Sequence, residues 1–260
     1  MTAATTGKAA GVRTALVTGG GRGLGRSIAE ALADRGFHVV VTRRPQTADA
    51  DATLQAIRQR GGKADSMPLD LADTASFPAF RESLERRLRD PRASTLDALV
   101  NNAGIGVFRT FDELTLDDYE ESFAVNTRGP LFLTQALVDL MPPGAGVVNV
   151  STQMTRQADA TSLVYSASKA ALESLSATLA IALGPRGIRV NSVAPGPTAT
   201  DFNGGAMRDS EALREYISNN TALGRVGRPD DIGLAVAALL GPEMAWITGQ
   251  RIEAAGGAFL

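Results

Sequence analysis

"TALVTGGGRGLGRSIAEALADRG", residues 14–36, runs from an apolar stretch through a glycine-rich turn into a helix-forming pattern over 23–35. "TALVT" reads as a buried strand, and Gly19, Gly23 and Gly25, with Leu24 between the last two, stand at its exit. Glycines at such a turn permit a tight bend, backbone approach to a pyrophosphate and close packing of helix on strand, while the helix start turns unpaired N–H groups toward the anion. A glycine pattern alone also fits a plain turn. The strand before this one and the amphipathic helix after it make it a dinucleotide-binding turn, with Leu24 counted among the residues that face the cofactor.

About 20 residues further on, folds that select NAD place an Asp or Glu against the ribose 2′-hydroxyl. Here that place reads "VVVTRRP", with Arg43 about where the acid would stand, Arg44 beside it and Arg22 in the glycine turn. Guanidinium groups bind a 2′-phosphate through paired hydrogen bonds, and no carboxylate is present to repel one. NADP(H) is therefore the expected cofactor, with Arg44 itself read as solvated.

Outward from the turn, seven short apolar runs follow: "TALVT", "FHVVVT", "ADSMPLD", "LDALVNN", "GVVNVS", "IRVNSVAPG" and "QRIEAAG". Helical patterns over 23–35, 49–60, 73–89, 115–139 and 163–184 separate the first six. Nearly continuous apolar strands alternating with helices predict a doubly wound α/β fold, a seven-stranded parallel sheet with helices on both faces. No repeat, low-complexity tract or linker divides residues 1–260, so one domain is expected, with 1–11 flexible. The least regular segment is 194–210, "APGPTATDFNGGAMRDS", and a long irregular stretch in a compact domain reads as a functional lid. The lid is expected to span 194–220: Gly204 and Gly205 permit large backbone changes, and "SEALREYI" reads as a short helix presenting Leu213, Tyr216 and Ile217 inward.

The composition, 260 residues of which 44% are hydrophobic, supports a sizeable core. A formal net charge of -2 offers no broad basic field, so neither nucleic acid nor an anionic membrane surface is an expected partner. The chain has no Cys, which excludes disulfides and thiolate chemistry, and its one His, His38 in "FHVVV", reads as a buried strand residue. A single His excludes a Ser-His-Asp triad and a His-based metal site, and no metal is expected. "MTAATTGKAAG" lacks an apolar signal core and no stretch offers about 20 uncharged apolar residues, so a cytoplasmic protein is expected.

"VYSASKAALESLSATLAIAL", residues 164–183, sets Tyr165 and Lys169 one helical turn apart in a chain whose other lysines are Lys8 and Lys63 and whose other tyrosines are Tyr119 and Tyr216. Spacing alone favours a solvated helix pair over a functional one. Five motifs in order decide between the two: "TGGGRGLG" at 18–25, "NNAG" at 101–104, "VNTRG" at 125–129, "YSASK" at 165–169 and "PGPTAT" at 195–200. Together they resemble the short-chain dehydrogenase/reductase family over nearly the whole chain. The resemblance implies a single-domain Rossmann fold and a catalytic set of Asn126, a hydroxyl at 151–152, Tyr165 and Lys169. It further implies that Asp70 and Leu71 meet the adenine, that Asn102 and Gly104 line the adenosine side, and that Pro195, Gly196, Thr198 and Thr200 flank the nicotinamide. The family's catalytic Ser falls at Thr152, one residue after Ser151. Neighbouring side chains at a strand end point to opposite faces, and Thr152 is preferred because it keeps the hydroxyl donor.

The resemblance implies reversible hydride transfer between NADPH and a carbonyl, with Tyr165 giving the proton, Thr152 hydrogen-bonding the developing alkoxide, and Asn126 holding the helix backbone and a water that relays protons to Lys169. A phenol is a poor donor-acceptor at neutral pH, and an ammonium about 4 Å away contributes roughly 4 kcal/mol toward tyrosinate, so Lys169 is expected to lower Tyr165 toward neutrality. By family analogy the type resembles 3-oxoacyl-[acyl-carrier-protein] reductases, although loops rather than fold set the substrate. The alternative is a non-catalytic NADP(H)-sensing or scaffold protein, which has no need of an intact Tyr-Lys pair. Gln153, Met154 and Phe108 are expected on the opposite pocket wall, with Arg156 read as solvated and an anionic group as its alternative partner. The helix at 163–184, nearly apolar all round, and the one at 115–139 resemble the family's four-helix interface, and the tail "ITGQRIEAAGGAFL" its second subunit contact. A homotetramer is expected, with a dimer second.

Overall fold

A computed structural model describes residues 12–44, 50–89 and 95–260. The segment 1–11 expected to be flexible, and position 49 at the start of the second expected helix, lie outside these residues. The apolar runs become β1 (Thr14–Val17), β2 (His38–Arg43), β3 (Lys63–Pro68), β4 (Leu96–Asn101), β5 (Gly146–Val150), β6 (Arg189–Pro195) and β7 (Arg251–Ala254). They pair in parallel in the order β3-β2-β1-β4-β5-β6-β7. The chain winds outward from β1 in one direction, returns, and winds outward from β4 in the other. Between β1 and β4 the winding reverses, and in open parallel sheets ligands bind beyond the carboxyl ends of the strands at such a point.

The helices are α1 (Gly23–Asp34), α2 (Asp51–Gln59), α3 (Phe77–Leu88), α4 (Leu116–Phe123), α5 (Gly129–Leu137), α6 (Leu163–Leu183), α7 (Ala206–Asp209), α8 (Glu211–Asn219) and α9 (Pro229–Leu239). Strand alternation splits the interior in two. Ala15 and Val17 join Ile28 of α1, Ile57 of α2 and Val236 of α9 on one face of the sheet. Leu16 points the other way, into a cluster with Leu84 of α3 and Leu133 and Leu137 of α5. Both faces being covered explains why the strand runs lack polar alternation.

The sequence and the structure differ at four places. The helix expected over 115–139 is interrupted by a π turn, Ala124–Arg128, in which the Gly129 N–H reaches Ala124 O. Pro130 is the physical reason, since it lacks the N–H that an α-helix would aim at the Asn126 carbonyl. Second, the sequence reading held no helix at 229–239, yet α9 packs on α1 so closely that a Cβ on Gly233 would lie 2.5 Å from Ser27 Oγ. Third, 194–210 is less irregular than expected, carrying the turn Phe202–Gly205 and the short α7. Fourth, α8 forms and buries Ile217 with Leu213 part-buried, but Tyr216 is 58% exposed and its ring leans on Phe259 at 6.1 Å.

His38 is part-buried on β2, its Nε2 2.9 Å from Asp65 Oδ2. Among the described residues no helix is long and apolar enough to cross a membrane, and no group of three His, Asp or Glu side chains is placed to hold a metal ion.

Candidate active site

The strand ends at the switch point open into one cleft of about 640 Å³. At one end lies the glycine turn. Gly19 takes φ +64°, and a Cβ on Gly25 would meet Gly19 O at 2.2 Å, so α1 starts hard against the turn. Arg22, at the N-cap of α1, makes no side-chain cap bond, which leaves the first amides of the helix aimed at the cleft for an anion. Thr18 ties this end together: its hydroxyl accepts from the Asn102 and Ala103 amides at 2.9 and 3.0 Å and donates to Val100 O at 3.3 Å. Asn102 Nδ2 donates to Thr18 O at 2.8 Å, so this side chain braces the turn as well as lining the cleft.

Gly19, Arg22, Gly23, Leu24, Gly25, Arg43, Asp70 and Leu71 all line the cleft on the β1–β3 side. Arg44, read from sequence as solvated, lines it too. Toward β5 and β6 the wall passes to Gly104, Thr152, Tyr165, Lys169, Pro195, Gly196, Thr198 and Thr200. Phe108, Gln153 and Met154 lie on it as expected, whereas Arg156 is exposed outside it. The residues present fit a phosphorylated dinucleotide: a glycine cradle that a Cβ would fill, an uncapped helix start, and guanidiniums at the β2 end where a carboxylate would select NAD.

Tyr165 and Lys169 sit on the first turns of α6 and face the end of β5. The side chain of Thr152 lies against the Tyr165 phenol and favours its ionised form. Ser151 points elsewhere and donates to Glu173 Oε1 at 2.6 Å, which separates the two adjacent hydroxyls by face. Lys169 Nζ donates to Val150 O at 2.8 Å. Asn126 differs from its expected place: it lies wholly buried behind the cleft wall. There its Oδ1 accepts from Ile105 N at 2.9 Å, and its Nδ2 donates to Ile105 O at 2.9 Å and Ser168 Oγ at 3.0 Å. A Cβ on Gly104 would lie 2.9 Å from Asn126 Oδ1 and 3.0 Å from Lys169 Nζ, so this glycine is the gap through which the two approach each other.

Electrostatics here run opposite to the expected direction. Burial pushes the Tyr165 phenol up to about 12 and pulls the Lys169 ammonium down to about 8 against the attraction of Glu173. The Lys169 charge is directed at the Val150 carbonyl, and against the desolvation of the phenol stands the Thr152 side chain alone.

Sequence reasoning missed Thr18 and Ser168, although Ser168 lies inside the quoted "YSASK" and its hydroxyl joins Asn126 to the Tyr165 carbonyl. It also missed the brace behind the hydroxyl pair. Arg251 Nε holds Glu173 Oε1 at 2.8 Å, while its Nη2 reaches Thr152 O at 3.3 Å, pinning the loop after β5 to α6 and β7. A cation on the last strand carries no local pattern that would announce this.

Against known proteins, residues 19–258 match the family model described as "Enoyl-(Acyl carrier protein) reductase". An uncharacterized oxidoreductase of Methylorubrum extorquens is 38% identical, over 94% of this chain and 97% of that protein. A hydroxynaphthalene reductase-like protein Arp2 of Metarhizium guizhouense is 34% identical, over 94% of each. Among solved structures, the angucycline C-6 ketoreductase LanV with bound NADP superposes with a TM-score of 0.87 at 37% identity, covering 95% of both chains. The reductase LugOII, which catalyses keto-reduction in lugdunomycin biosynthesis, gives 0.88 at 36% identity over 96% of this chain and 99% of its own.

Proposed function

The chain belongs to the short-chain dehydrogenase/reductase family, and from that membership we propose how its residues act. It is an NADP(H)-dependent oxidoreductase that reduces a ketone or aldehyde carbonyl to the alcohol, reversibly. When bound, NADPH supplies the hydride. The glycine turn and the α1 amides hold its pyrophosphate, Arg22 and Arg43 its 2′-phosphate, Asp70 and Leu71 the adenine, and Asn102 and Gly104 the adenosine side. Pro195, Gly196, Thr198 and Thr200 flank the nicotinamide, and Lys169 binds its ribose.

The observation that carries the catalytic reading is that Thr152 and Tyr165 stand together on the cleft wall, with Lys169 one turn along α6. Tyr165 delivers its proton to the carbonyl oxygen, and Thr152 donates to the same oxygen as charge develops on it. With its pKa held up near 12, the phenol is protonated at neutral pH, the form that reduction requires, while being a weaker acid than a free Tyr. Asn126, from behind, fixes Ile105 and Ser168 and holds the π turn against Gly104 and Lys169.

The family model's description names enoyl reduction, whereas the ketone chemistry in the names of LanV and LugOII accords with a proton donor placed for an oxygen. Nothing at the site singles out an acyl thioester, and an intact proton-donating pair gives a pure sensor or scaffold no advantage. The segment 194–220 acts as a lid, supported by consecutive left-handed residues at Asn203, Gly204 and Gly205 beside the cleft. The protein works as a homotetramer, or next a dimer, in the cytoplasm. Leu116, Tyr119 and Phe132 on α4 and α5 and Ile181 on α6 are exposed apolar side chains that an assembly would cover. Tyr165→Phe is the direct test: turnover should fall by at least about a thousandfold while NADPH binding persists, and a variant of near wild-type rate would sink the mechanism.

A further inference from the structure

Tyr165 must meet a substrate oxygen, yet it is only 6% exposed. Two rings cover it. Phe108 lies 5.4 Å from the phenol ring centre and Phe202 5.8 Å, both tilted, and the two phenylalanines meet edge to face at 6.5 Å. The closure depends on Gly106, where a Cβ would stand 2.6 Å from Phe202 Cζ and 2.7 Å from Phe108 Cε2. Any side chain at 106 would force the rings apart.

The two rings are held differently. Phe108 is part-buried. Phe202 is 44% exposed and is followed by three left-handed residues, Asn203 (φ 52°), Gly204 (φ 71°) and Gly205 (φ 80°). Asn and Gly tolerate that region and leave it readily, so the backbone can swing here without passing through forbidden conformations. Phe202 is the ring that can leave.

What can take its place is decided by the walls. Ile105, Met154, Met207 and Leu213 line the same cleft as the two rings. Of the charged side chains on the cleft walls, Arg22, Arg43 and Arg44 lie at the ends of β1 and β2, Asp70 follows β3, Glu121 is on α4, and Asp201 is tied to Arg208. Lys169 is thus the one cation beside the phenol, and its Nζ is engaged by the Val150 carbonyl. Apart from Lys169, whose ammonium is held by the Val150 carbonyl, the cleft wall gives a carboxylate or phosphate on the substrate no cation beside Tyr165 among the described residues.

Resting on the carbonyl-reductase reading above, we infer that the substrate is a neutral, flat aromatic ketone whose ring replaces Phe202 over Tyr165 and packs against Phe108. Ring for ring, the exchange keeps the tilted and edge-to-face contacts that the three-ring cluster already makes, while a saturated ring of the same outline offers no π face. The thioethers of Met154 and Met207 add polarizable contacts at the ring edge.

The test pairs 2-tetralone with trans-2-decalone, which share a carbon skeleton and carbonyl position and differ in one aromatic ring. With NADPH in excess, kcat/KM for the tetralone should exceed that for the decalone by about tenfold or more, the product of two aromatic contacts. The preference should fall to within about threefold in Phe108→Leu, which removes one of the two rings that the substrate meets, and persist in Phe202→Leu, whose ring the substrate displaces. Each ratio is taken within one variant, so a general loss of activity or yield cancels. Equal rates on the two ketones in the wild type, a preference undiminished in Phe108→Leu, or one abolished in Phe202→Leu would overturn the inference and leave carbonyl reduction standing. NADPH oxidation with neither ketone nor any other carbonyl compound would instead overturn the reading beneath it.

Discussion

Lys169 is 4% exposed in a chain that elsewhere relies on Arg, and its environment has a consequence for stability. Its folded-state pKa, about 8, lies below the ordinary 10.5 because burial disfavours the ammonium. Between those values the unfolded chain binds a proton that the folded chain has released, so stability rises with pH across that window and the full penalty is felt below pH 8. In the cofactor-free protein, the unfolding free energy of wild type relative to Lys169→Met should therefore rise by on the order of 2–3 kcal/mol from pH 8 to pH 10. Denaturant unfolding of both proteins at several pH values checks this, and a difference that does not change with pH contradicts it. The position of this residue was legible, because "YSASK" fixes Tyr165 and Lys169 on one helical turn and the strand-end alternation separates Thr152 from Ser151. The sign of the Tyr165 shift was not, since it depends on how much of α6 and of Phe108 and Phe202 covers the phenol. The burial of Asn126 depends likewise on a π turn that no periodicity reveals.

The end of β2 and the segment after β6 are the elements that choose cofactor and substrate. Arg43 closes β2 on the cleft wall, and charge-assisted contacts of roughly 1.5–3 kcal/mol imply that NADPH binds at least about tenfold tighter than NADH. Arg43→Asp should shrink or invert that ratio in titrations of either nucleotide, and equal affinities in the wild type would refute the assignment. For the lid, hydrogen exchange across 200–220 should slow most in the ternary complex with NADPH and a ketone. Identical protection in the free, binary and ternary states would show that this segment gates nothing. Strands and the first helices were readable because each carries its own apolar pattern. The helix α9 went unread although Pro229 and Asp231 mark its start, with the Arg228 N–H held by the Asp231 carboxylate at 2.7 Å. Its purpose, covering α1, lies across the fold rather than along the chain.

At the scale of the molecule, the seven-stranded parallel sheet followed from the alternation of apolar runs and helices, whereas its strand order, and the cleft at the reversal between β1 and β4, depend on pairing across the fold. Exposed apolar residues mark what one chain leaves open: Ile181 is 80% and Leu116 71% exposed. Light scattering should give the mass of four chains of 27.1 kDa, and Ile181→Arg should lower it; a monomer at micromolar concentration would exclude the assembly. The central claim is that hydride reaches a carbonyl carbon while Tyr165 protonates the oxygen, and isotope transfer tests it most directly. With NADPH deuterated at C4 and a ketone substrate, the product alcohol should carry deuterium on the carbinol carbon, and Tyr165→Phe should form almost none in the same time. Deuterium on a neighbouring carbon with the ketone retained, or labelled alcohol formed equally fast by Tyr165→Phe, would contradict it.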